Sequence, residues 1–190
     1  MGAQVNDMTA IQEGCLEFVF PDDMHAVQYD KTSLFIDHIE KIQKTKAVDI
    51  VFLDTDDSIV LMEIKDFVCY APENRTKIES GVLFKDLLHK VKDTLFGLWI
   101  ARFRENEQFA PIVQNAFTSH KRKVKVFFFM EEDAEVSRLF SKKGREVNMK
   151  MKLNQIFSPL MIKPLLLNAC SLPQNFTWKV KRVARPVGSA

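Results

Sequence analysis

The sequence predicts an α/β domain built on a mixed β-sheet, and three observations carry that expectation. Short β-rich apolar segments alternate along the chain with segments whose apolar residues fall at helical spacing. One stretch, VDIVFLDTDDSIVLMEIKDF (Val48–Phe67), reads as a hairpin that is apolar on both faces, as strands in the middle of a covered sheet must be. A long segment after it, roughly Ser80 to Arg104, carries one apolar stripe of Phe84, Leu87, Leu88, Val91, Leu95, Leu98 and Trp99.

The elements follow in order. Cys15–Phe20 (CLEFVF) is a short strand stopped by Pro21-Asp22-Asp23. KTSLFIDHIEKI places Leu34, Phe35, Ile39 and Ile42 at helical spacing, with Asp30 positioned as its N-cap. The hairpin consists of strands Asp49–Leu53 and Ile59–Lys65 around a turn at Asp54–Ser58. After Tyr70, APENRT is loop-like, and the long helix follows. KVKVFFFM (Lys123–Met130) is a strand by composition and length. Two shorter helical stretches near Ala134–Ser141 and Asn148–Leu160 precede two strand candidates, Pro164–Cys170 and Phe176–Val183. With 190 residues, 46% hydrophobic, and no repeat or linker, the chain is expected to form a single domain over 1–190. Its core spans about 15–170, and 171–190 form a basic C-terminal segment.

Several classes are excluded. The longest apolar runs, VFFFM (Val126–Met130) and PLLLNAC (Pro164–Cys170), are too short to span a bilayer. MGAQVNDMTAIQEG has neither the basic start nor the apolar stretch of a secretory signal, and Asn6 stands where myristoylation needs Ser or Thr. A cytoplasmic protein without membrane contact is expected. Cys15, Cys69 and Cys170 form no CxxC pair and no zinc pattern. Cys69 and Cys170 read as buried small hydrophobes, not nucleophiles. His25, His38, His89 and His120 are scattered without triad-like companions. Trp99 is expected in the core, and Trp178, among lysines and arginines, is expected to pack before it stacks on a base.

Charge is unevenly distributed. Residues 120–190 hold 15 Lys+Arg against 5 Asp+Glu, net +10, which leaves 12 basic and 20 acidic residues, net −8, in the rest. The basic share clusters in HKRKVK (His120–Lys125), SKKGR (Ser141–Arg145), MKMK (Met149–Lys152) and WKVKRVAR (Trp178–Arg185). This asymmetry suits a polyanionic partner. The alternative is a set of solvated faces balanced in three dimensions by the acidic part.

Three residues interrupt the apolar hairpin. Antiparallel pairing across the turn sets Leu53 opposite Ile59, Val51 opposite Leu61, and Asp49 opposite Glu63. Period-two alternation then places Asp49, Val51, Leu53, Ile59, Leu61, Glu63 and Lys65 on one face. Opposed like charges destabilise a strand pair, and burial adds desolvation. A divalent cation between the carboxylates is an economical offset, and hard oxygens suit Mg²⁺ or Mn²⁺. Lys65, on the same face, is placed to hold a water or stabilise developing charge. The bland alternative is a surface Glu–Lys pair with Asp49 at the strand start.

Asp49, thirteen intervening residues, then Glu63-Ile64-Lys65 at the end of an apolar strand resembles the PD-(D/E)xK nuclease superfamily. Val48 stands where the motif's name has Pro. The resemblance covers roughly residues 30–130. It implies a restriction-endonuclease-like fold, a mixed central β-sheet flanked by α-helices, with the acidic and lysine residues on a hairpin. It implies Mg²⁺- or Mn²⁺-dependent endonuclease hydrolysis of phosphodiester bonds, with DNA the substrate of most of the family. On that pattern Asp49, Glu63 and Lys65 are catalytic, and Asp49, Glu63 and the Ile64 carbonyl ligate the metal. An additional acidic ligand from the first helix would be Asp30, with Asp37 and Glu40 behind it. Lys121, Arg122 and Lys123 are candidates for phosphate contact, as are Lys90 and Lys92 on the long helix. Lys90 and Lys92 fit the solvated face of that helix equally. A homodimer or a targeting partner protein would suit a chain this small. The other function class is a non-catalytic nucleic-acid-binding or assembly module that keeps the fold.

Overall fold

The structure, a computed structural model, describes residues 7–42, 44–68, 81–104, 109–116, 123–132 and 142–184. In chain order the strands are β1 (Met8–Glu13), β2 (Leu16–Pro21), β3 (Val27–Gln28), β4 (Ile50–Leu53), β5 (Ile59–Asp66), β6 (Val124–Glu131), β7 (Leu165–Leu167) and β8 (Lys179–Arg182). The helices are α1 (Val82–Arg102), α2 (Ala110–Ala116) and α3 (Lys142–Phe157).

β4 and β5 pair antiparallel with Val51 opposite Leu61 and Leu53 opposite Ile59, the register that the alternation demands. The Asp54 N–H donates to the Ser58 carbonyl at 2.8 Å, and the Asp57 N–H to the Asp54 carbonyl at 2.8 Å, which closes the turn. Strand β6 lies parallel to β5, and β7 parallel to β6, while β3 pairs antiparallel with β4. The result is a five-stranded mixed sheet of order β3-β4-β5-β6-β7, with β5 in the middle. Parallel neighbours need a crossover connection, and the chain between β5 and β6 contains α1 and α2.

Both faces of this sheet are covered. Val51, Leu53, Leu61, Val126 and Phe128 pack against Phe84, Leu87, Val91 and Leu98 of α1 and Leu153 and Phe157 of α3. Ile50, Phe52, Val60, Met62, Phe127 and Phe129 face the other way. Among the described residues the two faces are covered by different kinds of layer. The second face is covered by a three-stranded antiparallel sheet of order β1-β2-β8. The physical reason lies in period two: β2 alternates buried and half-buried residues and turns Leu16, Phe18 and Phe20 inward. Trp178, just before β8, is buried at the centre of this layer. The rings of Phe18, Phe20, Phe52, Phe129 and Phe176 lie 5.3–6.5 Å from it. Trp178 is therefore a packing residue.

Other expectations need correction. Asp30 does not cap a helix. It lies in a 3₁₀ turn, Tyr29–Lys31, and the Phe35 N–H is bonded instead to the Thr32 hydroxyl at 3.3 Å. The segment beyond it is a short π-helix, Phe35–Ile39. Trp99 is not in the core: it is 47% exposed and meets the exposed Phe103 edge-on. The buried stripe instead passes through Thr94, Gly97 and Ala101, small residues that let the helix approach closely. Cys170 is exposed, and Cys15 is buried and disulfide-bonded. The expected helix at 134–141 and Cys69 lie outside the described residues.

Among the described residues no helix is long and apolar enough to cross a membrane. Gly97 meets the ring of Tyr29, so a Cβ there would overlap the tyrosine hydroxyl and lie 3.2 Å from its Cζ. That hydroxyl is buried without a hydrogen-bond partner among the described residues. Gly97→Ala is expected to cost about 1–3 kcal/mol in urea unfolding through overpacking. Part of that loss returns in a Tyr29→Phe background, which removes the overlapped atom. An equal cost in both backgrounds would place the conflict elsewhere.

Candidate functional site

The sheet face that meets α1 is apolar until its end, where Asp49, Glu63 and Lys65 appear. Glu63 is only 1% exposed and Asp49 7%, so neither belongs to a surface pair. The backbone fixes Asp49 from two sides. Its carbonyl accepts from the Tyr29 N–H at 2.9 Å, and its Oδ2 accepts from the Ile64 N–H at 2.6 Å. In an extended strand the N–H and C=O of one residue point to the same side. The Ile64 carbonyl therefore faces the β4 edge, where Asp49 stands.

The two carboxylates are offset by lysines. Lys65 Nζ lies 2.5 Å from Glu63 Oε1. Lys90, from the first half of α1, donates to Glu63 Oε1 at 2.7 Å and Oε2 at 2.9 Å, and its Nζ lies 3.8 Å from Asp49 Oδ1. This rules against the solvated-face alternative for Lys90, and lysines as well as a divalent cation can balance the pair. The register of α1 places Lys90 there. The Val48 N–H donates to the Thr94 hydroxyl at 3.1 Å, the Lys46 N–H to Asp93 Oδ2 at 3.0 Å, and Lys46 Nζ pairs with Asp86. These bonds tie α1 to the segment leading into β4.

Each ionisable group responds to this setting. Burial, then the charge of Glu63, pushes the Asp49 carboxyl up to about 7, against the pull of Lys90, Lys65 and the Ile64 N–H. Burial, then the charge of Glu13, raises Asp30 to about 6, with Glu63 adding to the rise and Lys31 and Lys90 opposing it. Burial by itself would lower the Lys90 ammonium, but Glu63 and Asp49 outweigh it and hold it above the ordinary lysine range. Asp30 thus lies within the electrostatic reach of the site. Its Oδ1 is buried without a hydrogen-bond partner among the described residues. Asp37 and Glu40 are exposed.

Among the described residues, no group of three or more His, Cys, Asp or Glu side chains is gathered for a metal ion. Asp49 and Glu63 nevertheless converge on one cationic atom, Lys90 Nζ. A single positive charge within reach of both marks a cation position, and the donors there are the oxygens that Mg²⁺ or Mn²⁺ prefers. The residues present fit such an ion.

The basic candidates are dispersed. Lys92 is exposed on α1. Lys123 is exposed at the turn end of the sheet, where its carbonyl accepts from the Ile59 N–H at 3.0 Å. Four residues of strand separate that position from Glu63, about 13 Å. Lys121 and Arg122 lie outside the described residues. Several basic residues of the C-terminal part are paired with acids of the N-terminal part. Lys125 holds Asp54 and Asp56 at 2.6 and 2.9 Å, Lys181 holds Glu17 at 2.6 Å, and Arg182 holds the buried Asp66 at 3.0 Å. Folding thereby balances part of the charge asymmetry.

Comparison with protein-family models, curated proteins and solved structures finds no match.

The raised carboxyls set the pH response. Asp49 and Asp30 ionise at about 7 and about 6 in the folded chain, whereas unfolded aspartates ionise near 4. Between those values the folded chain holds protons that the unfolded chain has released. Stability therefore falls as pH rises from about 4 to about 7, by up to about 1.4 kcal/mol per pH unit for each such proton. Asp49→Asn should flatten the upper part of that slope in urea unfolding. An unchanged slope would mean that Asp49 is ionised throughout.

Proposed function

We propose that this chain is a metal-dependent phosphodiesterase of the PD-(D/E)xK type, an endonuclease acting on nucleic acid, with DNA the favoured substrate. The observation that carries it is the buried convergence of Asp49 and Glu63, with Lys65 on the same face, at the end of the central hairpin. The order of elements supports it as well. An antiparallel pair is followed by a helical crossover into a parallel strand, a mixed sheet with its helices on the face that carries the site. The three-stranded layer on the other face is this chain's departure from a restriction-endonuclease-like sheet flanked by helices.

In this reading Asp49, Glu63 and the Ile64 carbonyl hold Mg²⁺ or Mn²⁺, and Asp30 is the nearby acidic group available to the same position. When bound, the ion lowers the pKa of an attacking water and stabilises charge on the phosphoryl oxygens. The remaining work falls to side chains. Lys65 is 28% exposed, more than its neighbours in the site, so its ammonium is the group that meets water or a phosphate oxygen at the surface. The buried Glu63 anchors that ammonium from behind, and the Ile64 N–H orients the Asp49 carboxylate. Exposed lysines such as Lys92 and Lys123 supply phosphate contacts that position the strand.

One observation favours the second reading, a binding module without catalysis: Lys65 and Lys90 balance the carboxylates with no ion required. The two readings separate in cleavage assays on supercoiled plasmid, linear duplex, single-stranded DNA and RNA with Mg²⁺, Mn²⁺ or EDTA. Cutting that needs the metal is expected, reduced about 100-fold or more in Asp49→Ala and Lys65→Ala. Salt-sensitive binding without cutting would instead establish the module.

A further inference from the structure

The lysine from α1 stands where the ion of the proposed reaction would stand. Lys90 Nζ bonds both oxygens of Glu63, at 2.7 and 2.9 Å, and lies 3.8 Å from Asp49 Oδ1. It is not a chance neighbour. The bonds from Val48 and Lys46 to Thr94 and Asp93 hold α1 in register, one turn beyond Lys90. Lys65 differs in kind: among the described residues its ammonium pairs with Glu63 but not directly with Asp49, and it is the more exposed of the two lysines. We propose that Lys90 is a built-in counter-cation that closes the site to divalent ions, so that a metal binds only by displacing its ammonium. This deepens the nuclease reading and rests on its assignment of Asp49 and Glu63 as cation ligands.

Three physical points support it. Two buried carboxylates without a cation would be strongly destabilised, and an ammonium on a flexible stem satisfies them in the metal-free chain. An ammonium and a divalent ion repel each other at the same oxygens, so occupancy by one excludes the other. Lys90 also has a route out, because its side chain is 18% exposed, whereas that of Glu63 is 1%. Once displaced, the ammonium becomes available to an anion at the mouth of the site. A phosphate group would favour metal entry by giving Lys90 a new partner.

The test is Mn²⁺ binding alone, by calorimetry on the full chain, with wild type beside Lys90→Gln, Lys90→Arg and Asp49→Asn. Lys90→Gln is expected to bind Mn²⁺ about tenfold more tightly or better, the coupling of two ligands that compete for one site. Lys90→Arg, which keeps the charge and grips a carboxylate with two parallel bonds, should bind more weakly than wild type. Asp49→Asn should abolish the binding heat. Equal Mn²⁺ affinity in wild type and Lys90→Gln overturns the role of Lys90 and leaves the metal reading standing. No Mn²⁺ binding by a folded Lys90→Gln overturns both, as does binding that survives Asp49→Asn. If circular dichroism shows Lys90→Gln unfolded, Lys90→Arg decides. Affinity equal to or tighter than wild type then overturns the proposal.

Discussion

Strands β4 and β5 have no polar face along most of their length, so they cannot lie at a surface. Ile50, Phe52, Val60 and Met62 turn one way, and Val51, Leu53, Ile59 and Leu61 the other, and all of them are buried. Leaving either set in water would forfeit roughly 1.5–3 kcal/mol for each large side chain. The chain meets this constraint with two unlike layers. On one side it uses helices, whose apolar stripes cover a sheet face broadly. On the other it uses a small antiparallel sheet packed around Trp178. The two cores are the opposite faces of one sheet, which makes the hairpin the part on which the rest is assembled.

Along the two strands of this hairpin, charge is confined to the end away from the turn and is used there as a fastener. On the helical face Lys90 joins α1 to Glu63 and Asp49, and on the other face Arg182 joins β8 to Asp66. Glu63 and Asp66 are an odd and an even residue of the same strand, so each reaches a different layer. Neither layer can slide along the hairpin without stranding a buried carboxylate, which costs several kcal/mol when its partner is lost. Specificity of packing and the electrostatics of the site are therefore one arrangement. The same bonds that dock α1 through Thr94 and Asp93 also aim its lysine.

Much of the hairpin was legible in the sequence because its information is local. Period two and a five-residue turn set the pairing of Val51 with Leu61, and that pairing put Asp49, Glu63 and Lys65 on one face. The long helix and the β6 strand were legible for the same reason, each carrying its own periodicity over many residues. Less came through where a strand is short or at an edge. MTAIQE in β1 buries only Ile11, and β3 is two residues long, so neither has a pattern to find. Trp99 shows the limit of a helical stripe: it continues the spacing of Leu95 and Leu98, yet the helix leans on the side of Gly97 and Ala101, chosen by the ring of Tyr29.

Within the sequence alone, then, lay the mixed α/β character, the central hairpin, its register and the shared face of two carboxylates and a lysine. Those follow from alternation and turn length, which neighbouring residues set between them. The tertiary structure decided that the second layer is a sheet, that Trp178 is its centre, and that basic residues such as Lys125, Lys181 and Arg182 are paired with acids far away in the chain. It also decided that Lys90, at the edge of the helical stripe, is turned onto Glu63 and left only partly open to water. Each of these depends on which distant surface comes to rest against a residue, and no periodicity within a segment records that.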